Sequence, residues 1–67
     1  MKKISLSLSG HQTSITIEDE FAAELRNIAK RRGVSVASIV QQIDDTRTAN
    51  TNLSSAVRVW ILKTVKS

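Results

Sequence analysis

The spacing of apolar residues changes period once along the chain. Between residues 3 and 17 the period is two. Ile4, Leu6 and Leu8 alternate with Ser5, Ser7 and Ser9; after Gly10-His11, Ile15 and Ile17 alternate with Ser14 and Thr16. Alternation sends successive side chains to opposite faces, so this stretch predicts a strand, a break and a second strand. Ile and Thr favour extended chain, and nothing here favours helix.

After Ile17 the period becomes helical. Glu18-Asp19-Glu20 sets three acids where they complement a helix N-terminus. Phe21, Leu25, Ile28 and Ala29 form one apolar stripe. Lys30-Arg31-Arg32 suits the C-terminus, and Gly33 is the expected left-handed residue beyond it. The first helix is therefore predicted over residues 18–32. Ser35 reads as an N-cap for a second helix over 35–47, with the stripe Val36, Ile39, Val40 and Ile43. Residues 48–52 are polar and helix-poor, so a loop is expected there. Asn52 caps a third helix over 52–66, whose main stripe is Leu53, Ala56, Val57, Trp60 and Ile61, extended by Val65. Val59 and Leu62 lie off that stripe. A helix apolar over so much of its circumference is expected to be covered on more than one side.

Length sharpens this expectation. The chain has 67 residues, one domain at most. A chain of this size buries only about 60% of the surface its unfolded form exposes, which leaves a lone monomer marginal. No cysteine is present to staple it, and no Cys/His cluster could hold a structural zinc. Yet 40% of the residues are hydrophobic, too many for a disordered chain. Oligomerisation is the remaining route to stability, so a dimer is expected. No apolar run is long enough for a signal peptide or a membrane span, which predicts a cytoplasmic protein with no membrane partner. Ten basic against six acidic residues leave a net charge of +4, which favours a polyanionic partner, nucleic acid first.

Candidate chemistry is sparse. His11 is the single histidine, better suited to a turn than to a metal or a catalytic base. Asp44 and Asp45 are adjacent on a helix, so they point apart and read as a solvated end. Ser5, Ser7, Ser9 and Ser14 have no His and acid set to activate a nucleophile. No enzyme activity, metal site or cofactor is expected. Trp60 reads as core or interface, since one Trp and one Phe make no stacking platform for single strands.

Two stretches then carry a resemblance. Thr13-Ser14-Ile15-Thr16-Ile17-Glu18-Asp19-Glu20-Phe21, followed by Gly33-Val34-Ser35-Val36-Ala37-Ser38, resembles the ribbon-helix-helix family of DNA-binding proteins, the Arc and methionine repressor class. Gly10-His11-Gln12-Thr13-Ser14-Ile15 and Asn52-Leu53-Ser54-Ser55-Ala56-Val57-Arg58 are similar to a bacterial branch of it. The resemblance spans essentially the whole chain. It implies a mainly α fold with short β, an intertwined homodimer, and an extra C-terminal helix. One strand from each of two subunits, residues 11–17 here, would pair into a ribbon entering the DNA major groove, whose width of ~12 Å admits two strands. Gln12, Ser14 and Thr16 fall on the positions that face bases; Thr13, Ile15 and Ile17 face the helices. Gln can pair with adenine, while Ser and Thr are permissive. Related sequences often carry a basic residue where Gln12 stands, which implies a less selective reading face here.

The resemblance also implies phosphate binding at the start of the second helix, through backbone N–H groups of Val34, Ser35, Val36 and Ala37. Lys30, Arg31 and Arg32 adjoin them. The expected role is a transcriptional regulator, a repressor for instance, on double-stranded DNA, with two dimers able to line up on tandem sites. An antitoxin with a protein partner, or an interaction module that no longer reads DNA, are the alternatives. Residues 1–10 fit either a strand hairpinned through Ser9-Gly10 or a basic arm bringing Lys2 and Lys3 to phosphate.

Overall fold

The computed structural model of the chain describes residues 1–48 and 50–67. Two strands precede three helices: β1 (Lys2–Leu8), β2 (His11–Ile17), α1 (Asp19–Arg32), α2 (Val36–Thr46) and α3 (Leu53–Lys66). The predicted boundaries agree within one residue. The loop expected over residues 48–52 includes Ala49, which lies outside the described residues.

The N-terminal segment is a strand and not an arm. β1 pairs antiparallel with β2 from Lys2 opposite Ile17 to Leu8 opposite His11. Only Ser9 and Gly10 connect them, with φ of 50° and 81°. Positive φ at both central positions is the turn geometry that matches the twist of the flanking strands. So short a turn fixes the register. A slip of one residue in either strand would turn its buried pair, Leu6 and Leu8 or Ile15 and Ile17, out to water.

α1 ends in a Schellman arrangement at Gly33, whose φ is 67°. The Gly33 N–H donates to the Lys30 carbonyl at 3.2 Å and the Val34 N–H to the Ala29 carbonyl at 3.1 Å. Asp19 and Glu20 occupy the first turn of α1, and Lys30, Arg31 and Arg32 the last. Ala22, Leu25, Ile28 and Ala29 are buried, while Phe21 lies on the flank of that stripe. Glu18 is the N-cap residue of α1, and its carboxylate also accepts from Arg58 Nε at 3.0 Å, tying the start of α1 to α3.

Ser35 caps α2 by accepting from the Ser38 N–H at 3.0 Å, and Asn52 caps α3 by accepting from the Ser55 N–H at 3.3 Å. α2 packs on β1, α3 on β2, and α1 against both helices. Thirteen apolar residues form the buried core, with no buried polar residue among those described.

The apolar stripe of α2 is covered within the chain. Ile39, Val40 and Ile43 of α2 are buried because β1 and α3 supply the apolar area that a strand-helix-helix unit alone would lack. One remnant stays exposed. Val59, Leu62 and Val65 of α3 keep nearly half their surface in water. Val65 thus does not extend the buried stripe, which is centred on Val57 and Ile61.

Candidate nucleic-acid interface

Gln12, Ser14 and Thr16 are all exposed on the outer face of the hairpin. Ile15 and Ile17, alternating with Ser14 and Thr16, are 1% and 0% exposed and clamp that strand to the core. In register, Lys3 lies opposite Thr16, Ser5 opposite Ser14, and Ser7 opposite Gln12. These three β1 residues are exposed as well. The outer face therefore carries six polar side chains, three on each of two strands, with Lys3 as its cation.

Both ends of the hairpin are tied to helices. At the turn, the Ser9 N–H donates to Gln41 Oε1 at 2.8 Å, and Gln41 Nε2 donates to Asp45 Oδ1 at 2.9 Å. At the far end, the Thr16 N–H donates to Ser54 Oγ at 3.2 Å. Sequence reasoning missed Gln41 and Ser54, because nothing in a linear pattern reports contacts across 32 and 38 residues. The shared face of Ser5 and Ser7 did have a signal in their alternation with Ile4, Leu6 and Leu8.

The second expected contact region lies across the turn from α1 to α2. Lys30, Arg31 and Arg32 end one helix, and Ser35 opens the next. Val34 leaves the set of free donors, since its N–H is consumed by the Ala29 carbonyl. Ser35, Val36 and Ala37 keep N–H groups with no internal acceptor among the described residues. The Ser35 oxygen is engaged as the cap, accepting from the Ser38 N–H. Lys30 and Arg31 are exposed without an ion pair among the described residues. Arg32 differs, because its guanidinium lies over the Trp60 ring, 5.2 Å from the centroid. That stacking holds the end of α1 against α3.

Charge is distributed accordingly. Arg47 and Arg58 are neutralised by Asp44 and Glu18, at 2.7 and 3.0 Å. Hydrogen bonding from its own backbone, and then from Arg58, holds the Glu18 carboxyl below the usual glutamate range. Among the described residues no cluster of three metal-ligating side chains occurs, and no helix is long and apolar enough to cross a membrane. The arrangement offers a polar strand face, a helix N-terminus with open donors, and adjoining cations.

The family model described as the ribbon-helix-helix domain matches residues 1–65. Comparison with curated proteins and with solved structures found no match.

Proposed function

Because this chain belongs to the ribbon-helix-helix family, whose members generally bind DNA as transcription regulators or antitoxins, we propose that it is a regulator that binds double-stranded DNA through the outer face of its hairpin. The observation that carries this reading is the exposure of Gln12, Ser14 and Thr16 on a strand whose alternate residues are locked in the core. A two-stranded hairpin fits the major groove, and Gln12 accepts and donates to adenine there. The open N–H groups of Ser35, Val36 and Ala37, with Lys30 and Arg31, hold phosphate and set the register.

Members of the family typically bind DNA as dimers. Here two chains pair through the exposed α3 row of Val59, Leu62 and Val65. Three half-exposed side chains fall well short of the ~800 Å² that a standard interface buries on each partner. Pairing is therefore weak in solution and is completed on neighbouring DNA sites. A pair carries 2 × (+4) = +8, from the net charge of each chain.

Selection of bound duplexes from a random pool, at two salt concentrations, tests the reading. An enriched short motif, repeated or palindromic, with affinity falling steeply in salt, is expected. Retention of no duplex even at low salt would overturn DNA binding and leave a protein partner as the function of this surface. Gln12→Ala is expected to change the selected motif at one position while leaving the fold intact.

A further inference from the structure

We infer that the cleft between the end of α2 and α3 is a binding site for a small aromatic carboxylate, held by Lys63 and by the hydroxyl pair of Thr48 and Thr51. None of the residues assigned above to DNA lines this cleft. The inference therefore stands or fails independently of that reading.

The cleft has a volume of about 320 Å³ and is open to solvent. That is room for about ten water molecules, at the small end of ligand pockets. Its apolar wall comes from Ile43 of α2 and from Ala56, Val59 and Trp60 of α3. Ile43 is buried in the core, and Trp60 packs against the core with the Arg32 guanidinium over its ring, so the wall is preformed. An indole beside a narrow cleft favours a planar ligand, because aromatic rings pair in offset or edge-to-face arrangements. Only Val59 is shared with the α3 row assigned above to pairing. That pairing is weak in solution, so the cleft is open in the free chain.

The groups around the cleft select the sign of the ligand. Its lining holds two cations, Arg47 and Lys63, and no acid. α3 itself carries no acidic residue. Arg47 is already committed, since its Nε donates to Asp44 and its Nη1 to the Thr51 carbonyl. Lys63 is exposed and makes no ion pair among the described residues. The Thr46 hydroxyl donates to backbone carbonyls of α2. Thr48 and Thr51 differ, because their hydroxyls stand 2.7 Å apart and share one hydrogen bond. Two hydroxyls bring two protons and the shared bond uses one, so one is left to donate. An ammonium and a hydroxyl beside an apolar wall match a carboxylate carried on a ring. A neutral amide would lose the charge-assisted part of that contact, and an amine would be repelled.

Phenylacetate, which fills the volume, is the probe; phenylacetamide and benzylammonium are its neutral and cationic counterparts. Each is titrated into the chain without DNA and followed by N–H resonances. Trp60 is the single tryptophan, so its indole signal needs no assignment. Phenylacetate is expected to give saturable shifts at Val59, Trp60 and Lys63, with a dissociation constant on the order of 1 mM. Lys63→Ala is expected to weaken it about tenfold, and phenylacetamide to bind the unaltered chain about tenfold more weakly. Lys66 is the control, because it carries the same charge on the same helix but lies outside the lining. Lys66→Ala is expected to leave the titration unchanged. Shifts that never saturate, or an equal response to phenylacetamide or benzylammonium, would overturn the site. Equal weakening by Lys63→Ala and Lys66→Ala would reduce the effect to net charge and overturn it too. Each of these results holds whether or not the chain selects a DNA duplex.

Discussion

Gly33 sits in open space, with no atom within 4 Å of where a Cβ would be. Its φ of 67° is thus the whole reason for glycine at that position. Gly33→Ala is expected to destabilise the chain by about 1 kcal/mol in urea unfolding, from backbone strain alone. Ser35→Ala should cost a similar ~1 kcal/mol by removing the α2 cap, and should also weaken phosphate binding. Glu18 makes stability pH-dependent. Its folded carboxyl is held below its ordinary range, so the contribution is present above the unfolded pKa and is lost as pH falls through the folded one. The pair with Arg58 is partly exposed, so solvent screening keeps the effect small. Acid titration of the unfolding midpoint should therefore show a shallower fall for Glu18→Gln. At this scale the sequence was a good guide wherever a role is local. Gly33, Ser35 and Asn52 are legible because a cap acts within three residues. Glu18 stands at the N-cap of α1 as its position suggested, but its pairing with Arg58 was not legible, because the two lie 40 residues apart.

Among the elements, α3 has the most consequence. Its buried residues Val57 and Ile61 complete the floor under β2, and its first turn holds the Thr16 end of the hairpin. Ile61→Ala is expected to cost ~2–5 kcal/mol. Against the roughly 3–10 kcal/mol total expected of a chain this long, that substitution lowers the melting temperature severely. Leu62→Glu lies on the opposite side of the same helix and should change stability by less than ~0.5 kcal/mol. Its expected effect is loss of joint binding to paired DNA sites, read as independent occupancy in a mobility shift. The change of period at Ile17 made all five elements legible. Which part of α3 is buried was not, because its apolar residues cover more than one stripe and periodicity alone ranks none of them. Packing against β2 selects Val57 and Ile61 and leaves Val59, Leu62 and Val65 in water.

For the whole molecule, size led to an expectation that the structure redistributes. A marginal chain without cysteines suggested a dimer, with α3 covered on more than one side; within the chain β1 and α3 cover α2, while Val59, Leu62 and Val65 of α3 stay exposed. The electrostatic consequence is testable at this scale. Lys30→Ala should weaken binding to all duplexes alike and lower the slope of log affinity against log salt by about 1, whereas Gln12→Ala should leave that slope unchanged.

The two-residue turn at Ser9-Gly10 has a kinetic meaning beyond register. A ribbon assembled from two chains forms by a collision, so its amount scales with the square of concentration when protein is scarce. A hairpin closes by a first-order event, on the order of microseconds, and its population is the same at any dilution. The strand pairing seen here is therefore available to a chain that has met no other copy. Amide exchange protection across β1 and β2 should stay constant over a hundredfold dilution, whereas any pairing between chains would fall away with it.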